Sequence, residues 1–271
     1  MDIRWIIAIS FLIIFLGTAI GSAFVFLFKK RPGDKLLAIS LGLAAGVMIA
    51  ASFFGLLNPS IEEAKANYGK ELAWIPPLLG LLLGTGLLYL IDKIVPHIHI
   101  NTGHQEGVQA PNFTNQFKFF LAVTIHNLPE GLITGFAGGL ALSSFQNGNA
   151  EQAAAYAMSA LILSIGIAVQ DIPEGMAVSV PLYIEGMGRG KAFGFGVASG
   201  AVQPIAAVAG LFLASALSSA MSYFLSFGAG AMLYVVIDDL VPQFSKKGVE
   251  HYGIWAFVIG LGFMMLMETL L

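Results

Sequence analysis

Eight stretches of the chain are almost purely apolar, and each is long enough to cross the hydrocarbon core of a bilayer as a helix, which takes about 20 residues. They run from Trp5 to Phe28, Leu36 to Leu57, Leu72 to Ile91, Phe117 to Leu142, Ala153 to Ile184, Ala192 to Leu217, Met221 to Val241 and Tyr252 to Leu270. Within each stretch the apolar residues are continuous rather than alternating, which favours helices over the strands of a barrel. The longest polar connection, Asp92 to Gln116, contains "HIHINTGH", is rich in Asn, Gly and Gln, and has no helical period. The pattern predicts an all-α integral membrane protein with eight transmembrane helices, organised as a single domain over residues 1–271 with a loop at about 92–116.

Composition agrees and narrows the class. Of the 271 residues 57% are hydrophobic and 11% charged, whereas a soluble domain carries about 25% charged residues. Cysteine is absent, which removes disulfides, thiolate ligands and thiol redox chemistry. A net charge of −3 without a basic tract gives no reason to expect nucleic acid. The first apolar stretch is too long for a signal-peptide core and lacks a small-residue cleavage site, so it is expected to be the first span.

Basic residues set the orientation. With both termini outside, the inner connections hold Lys29, Lys30, Arg31, Lys35, Lys93, Lys118, Arg189, Lys191, Lys246 and Lys247, ten of the thirteen Lys and Arg residues. Only Arg4, Lys65 and Lys70 fall outside, so both termini are expected outside and the 92–116 loop in the cytoplasm. The 32 glycines, many beside Ala or Ser inside the spans, suit close helix packing where lipid supplies no hydrophobic drive between helices.

Polar chemistry is concentrated in two of the spans. The fourth contains "HNLPEG", residues 126–131, and the fifth contains "QDIPEG", residues 170–175. His126 and Glu130 share a helical face at a four-residue step, as do Gln170 and Glu174, while Asn127 and Asp171 stand three residues before each glutamate. Pro129 cannot donate to the carbonyl of Ile125, nor Pro173 to that of Val169, so each helix is expected to kink and to release a carbonyl beside these side chains. Irregular backbone at such depth belongs beside a cavity or buried in protein. Counted from the inner ends of two antiparallel spans, both motifs lie at one level, as in an inverted repeat around a midplane site.

Three carboxylates at that depth cost several kcal/mol each, roughly, when left unpaired, and neither span has a Lys or Arg there. A divalent cation would neutralise them. Carboxylate oxygens, one imidazole and amide oxygens suit Zn²⁺, Fe²⁺, Mn²⁺, Co²⁺ or Cd²⁺ rather than Cu(I). The plainer alternative is a hydrogen-bonded cluster with protonated carboxyls that ties two helices together.

The paired motifs resemble the signature helices of the ZIP family of metal-ion transporters, and their wording is nearest to its GufA-type branch. "GVMIAAS" (46–52), "LIDKIVPHIH" (90–99) and "AGAMLYVVIDDLVP" (229–242) also resemble that branch. The resemblance implies a binuclear metal site between spans four and five. One metal would be held by Met48, His126, Glu130, Gln170 and Glu174, and the second by Asn127, Glu130, Asp171 and Glu174. The branch adds a sixth-span glutamate in a "VEP" context, where this chain has "VQP" and therefore Gln203. The lost charge is expected to weaken the second metal or change its preference. Asp239 stands where a glutamate is commoner and belongs either to a cytoplasmic exit or to a solvated helix end.

The resemblance implies movement of divalent metal, zinc foremost, across the membrane into the cytoplasm, with no cofactor beyond the transported ion and with a homodimer as the assembly. The compact chain without a visible sorting segment leads to the expectation of the cytoplasmic membrane of a prokaryote. An intramembrane metal-dependent hydrolase is the other class, but the chain has no "HExxH" helix and one histidine within the spans. His97, His99 and His104 in the inner loop either relay metal after release or are simply solvated. Asn58 and Pro59 are expected to end the second span.

Overall fold

The computed structural model describes residues 2–27, 33–95, 97–98, 105–106, 115–184, 186–217 and 220–270. Each of the eight apolar stretches is helical there, apart from turn or bend residues at Leu27, Ala73, Trp74, Ala201 and Leu217. The helices are α1 (Ile3–Ala23), α2 (Asp34–Ala50), α3 (Asn58–Leu72), α4 (Ile75–Ile94), α5 (Asn115–Gln146), α6 (Ala150–Ile184), α7 (Arg189–Gly200), α8 (Val202–Ala216), α9 (Met221–Val235), α10 (Val241–Phe244) and α11 (Glu250–Leu270). Among the described residues seven helical runs are long and apolar enough to cross a membrane, namely Ile3–Phe26, Asp34–Leu72, Ile75–Ile94, Ala150–Ile184, Arg189–Ala214, Met221–Phe244 and Glu250–Leu270. The remaining apolar stretch forms the 32-residue α5. In the 92–116 loop, β1 (His97–Ile98) pairs antiparallel with β2 (Gln105–Glu106), while His99 and His104 lie outside the described residues.

Asn58 and Pro59 do not end the second helical run. It passes through a π-helical turn at Ala51–Leu57 and continues as α3 to Leu72, with a break in helical geometry at Gly69, where φ is 74°. A second π-helical turn, Val236–Leu240, joins α9 to α10. Both π turns are followed by a proline, Pro59 and Pro242. A proline ring clashes with the carbonyl four residues back, and a wider turn, bonding five residues back, moves that carbonyl aside. The helix therefore survives a residue that would otherwise stop it.

Four helix packings dominate: α1 on α6, α5 on α8, α2 on α11 and α4 on α9. Each rests on a pair of glycines one turn apart. A β-carbon on Gly131 or Gly135 of α5 would lie 2.2 Å from the Gln203 carbonyl or 1.8 Å from that of Ala207 on α8. Gly17 and Gly21 meet α6 backbone in the same way, Gly42 and Gly46 meet α11, and Gly80 and Gly84 meet α9. Small residues at i and i+4 let backbones touch. These glycines are committed to packing within the chain and give no separate argument for a dimer.

The pairings sort the helices into two groups. The first comprises α1, α5, α6, α7 and α8, and the second α2, α3, α4, α9, α10 and α11. They meet where α2 lies on α6 and where α9 lies on α5. Side chains fill that seam: Phe136 of α5 stacks on Phe224 of α9 with centroids 4.2 Å apart, and the tip of Ile133 occupies the hollow over Gly228.

Inside the second group, α3 is tied to α9 by a reciprocal pair of serines. Ser60 Oγ donates to the Ser222 carbonyl at 2.6 Å, and Ser222 Oγ donates to the Ser60 carbonyl at 2.8 Å. Both side chains are buried. The double change Ser60→Ala, Ser222→Ala is expected to cost about 1 kcal/mol, the usual scale for hydrogen bonds between membrane helices, and to lower the melting temperature of the purified protein in detergent without altering its chromatographic profile.

Candidate metal centre

The two motifs lie on α5 and α6, which pack against each other in the first group. Both helices run on through their prolines, Pro129 in α5 and Pro173 in α6, rather than breaking there. The glycine that closes each motif has a packing task. Gly131 admits the backbone of α8 at Gln203, and Gly175 admits that of α1, where its β-carbon would lie 2.3 Å from the Thr18 carbonyl. Close approach at Gly131 is what brings Gln203 within reach of Glu130. Pro204 contributes as well: it cannot bond the Gly200 carbonyl, and α7 gives way to α8 at Ala201, just before Gln203.

Five of the eight expected site residues come together. Glu130, Asp171 and Glu174 are buried, and each places a carboxylate oxygen within 4.8 Å of the others. Gln170 Nε2 donates to Glu130 Oε1. Gln203 Nε2 donates to Glu130 Oε2 at 2.9 Å and to Asp171 Oδ2 at 2.8 Å. Asn127, the sixth, donates from Nδ2 to the Ser199 carbonyl at 3.0 Å, which ties α5 to α7. Five buried oxygens of the cluster have no hydrogen-bond partner among the described residues: Asn127 Oδ1, Gln170 Oε1, Asp171 Oδ1, Glu174 Oε2 and Gln203 Oε1. Buried polar atoms are ordinarily satisfied. A concentration of orphaned acceptors beside three carboxylates is what a hard or borderline cation requires, and the oxygen-rich donor set fits Zn²⁺, Mn²⁺, Fe²⁺ or Cd²⁺.

The other two expected ligands belong to the seam between the groups. His126 turns its Nε2 toward Asp239 Oδ2, 3.2 Å away, on the π-helical turn after α9. Met48 is buried in α2, within the hydrophobic core. The His126–Asp239 pair had no signal in the spacing of the sequence, because the π-helical turn shifts Asp239 off the face that a regular α9 would give it. Asp239 is thus neither fully solvated nor isolated: it is a partly buried partner of a residue in the motif.

A sequence profile of the ZIP zinc transporter family matches residues 3–116 and 103–268. Zinc transporter ZIP11 of Xenopus tropicalis is 32% identical, over 93% of this chain and 93% of its own length. Zinc transporter ZupT of Stenotrophomonas maltophilia is 32% identical, over 91% and 88%, and zinc transporter ZIPB of Bordetella bronchiseptica is 34% identical, over 95% and 78%. The matches run through both motifs and nearly the whole length of this multi-pass membrane protein. The chain belongs to the ZIP zinc transporter family.

Proposed function

We propose that this protein carries divalent transition-metal ions, zinc foremost and Cd²⁺, Fe²⁺, Mn²⁺ and Co²⁺ as further cargo, across the cell membrane into the cytoplasm. In this reading α5 is the fourth of eight spans, both termini face outward, and the cargo sits between α5 and α6. The observation that carries it is the buried trio Glu130, Asp171 and Glu174 with its orphaned oxygens. The relatives above are each named as zinc transporters, and none of those names supports the hydrolase alternative.

The two helix groups suggest how an ion would pass. Glu130, Gln170, Asp171, Glu174 and Gln203 ride on the first group, while Met48 and Asp239 belong to the second. The first group is locked internally by backbone contacts at glycines, whereas the seam between groups is made of side-chain tips. Movement of one group against the other would carry the carboxylates away from Met48 and Asp239 as a unit, with His126 released from Asp239. The resemblance gives Met48 and His126 the remaining ligand positions for the bound ion, and Asn127 and Asp171 a second position. A homodimer rests on the resemblance alone. The sequence contains no Gly-rich phosphate loop of the ATPase type, and none is required. A dication entering a cell with a negative interior gains about 4.6 kcal/mol per 100 mV, twice the value for one charge.

The test uses purified protein in liposomes loaded with a metal-responsive dye. Saturable zinc entry is expected from the wild type and its loss from Glu174→Ala, which deletes a carboxylate of the trio while leaving the hydrogen bonds of Gln170 and Gln203 intact. Zinc that binds without entering, or entry undiminished in Glu174→Ala, would sink the proposal.

A further inference from the structure

Gln203 does more in the cluster than replace a charge. Its single amide nitrogen faces two carboxylates at once, Glu130 Oε2 at 2.9 Å and Asp171 Oδ2 at 2.8 Å. Glu130 and Asp171 come from different helices, α5 and α6, and Gln203 reaches them from a third, α8. All three side chains are buried. The space between the two carboxylates is therefore taken by a donor NH₂ group. Turning the amide over would set its oxygen against two carboxylate oxygens at the same distances, an arrangement that needs a cation or a carboxyl proton between them.

We infer that Gln203 makes this a one-cation centre: its amide nitrogen bridges Glu130 and Asp171 where a second cation would otherwise lie. The inference rests on the transport reading above and concerns how many ions its site holds. The cluster offers three carboxylates, Glu130, Asp171 and Glu174, and with one dication bound the remaining negative charge rests on the carboxylate that Gln203 and its neighbours hold by hydrogen bonds. Gln170 Oε1 and Glu174 Oε2 are unpartnered and stand ready for the single ion with Glu130. Asn127 Oδ1 and Asp171 Oδ1 are also unpartnered. They are the donors a second ion would draw on once position 203 supplied a fourth carboxylate in place of a bridging NH₂.

The experiment counts zinc, not flux. Purified protein in detergent is equilibrated with saturating Zn²⁺ by dialysis, and bound metal per chain is measured by elemental analysis. The count for Glu130→Ala is subtracted, so that surface and loop histidines cancel. One zinc per chain is expected for the wild type and two for Gln203→Glu, falling back to one in Gln203→Glu, Asp171→Asn. Melting curves confirm that each variant is folded. Two zinc ions in the wild type, or one in a folded Gln203→Glu, would overturn this inference alone. No difference between the wild type and Glu130→Ala would overturn the transport site itself, so the two failures are distinguishable.

Discussion

Glu130→Ala is expected to reduce zinc entry into liposomes by at least about 100-fold. Removing one partner from a buried charged cluster costs roughly 3–5 kcal/mol, which is about two to nearly four decades of affinity or rate. Glu130 is tied closely into the cluster, since Gln170 and Gln203 both donate to it and its carboxylate lies beside those of Asp171 and Glu174. Alanine would leave the Gln170 amide buried without its acceptor, at about 1–3 kcal/mol, and Gln203 with Asp171 alone, so a second variant is needed to separate folding from function. Glu130→Gln keeps the volume and one acceptor oxygen but not the charge. It is expected to melt close to the wild type and still to lose nearly all zinc entry. A Glu130→Gln protein that transports at more than a tenth of the normal initial rate would show that the charge is not what holds the ion.

The largest structural effect is expected at Gly135. A β-carbon there would lie 1.8 Å from the Ala207 carbonyl oxygen and 2.6 Å from its α-carbon, and backbone cannot swing aside as a side chain can. Either α5 and α8 separate or the helix distorts, and overpacking of this kind costs about 1–3 kcal/mol or more. Gly135 is one turn beyond Gly131, so the same displacement would pull Gln203 away from Glu130. Gly135→Ala is expected to lower the melting temperature by several degrees and Gly135→Leu to prevent recovery of a monodisperse protein. The comparison is Gly262→Ala in α11, where nothing lies within 4 Å of the added carbon. There the gain in helix propensity, up to about 1 kcal/mol, is expected to leave the protein as stable or slightly more so. Equal behaviour of the two alanine variants would remove the glycine contacts from the account of stability.

Most of the helical architecture was legible in the lengths of the apolar runs, because hydrocarbon thickness imposes a length on any spanning helix. The residues of the candidate site were legible for a related reason: Glu130, Asp171 and Glu174 are so costly within a span that their presence is itself a signal. What the sequence hid depends on departures from regular helix geometry and on contacts between distant helices. Pro59 reads as a stop, yet the π-helical turn ahead of it carries the helix on to Leu72. Asp239 reads as a residue at a helix end, yet a second π-helical turn aims it at His126. Gln203 reads as a lost charge, and only the close approach of α8 at Gly131 reveals it as a donor shared by two carboxylates. The glycines were readable as packing residues in kind, but not in their pairing, since nothing local in the chain tells Gly17 that its partner is Ala168.

That pairing has a consequence for how the protein is made. In three of the four dominant packings, α1 with α6, α2 with α11 and α4 with α9, a helix synthesised early must wait for one synthesised much later. The early helices satisfy their own backbone hydrogen bonds and persist in lipid as separate rods, but their glycine faces have no partner until the second half of the chain is inserted. Assembly is thus deferred to the second half of translation. The first group is completed with α8 and the second with α11, and a ribosome that stops after α5 leaves the glycine faces of α1, α2 and α4 without their partners. Each helix group is woven from both halves of the chain, so neither half is expected to be expressed as a working piece without the other.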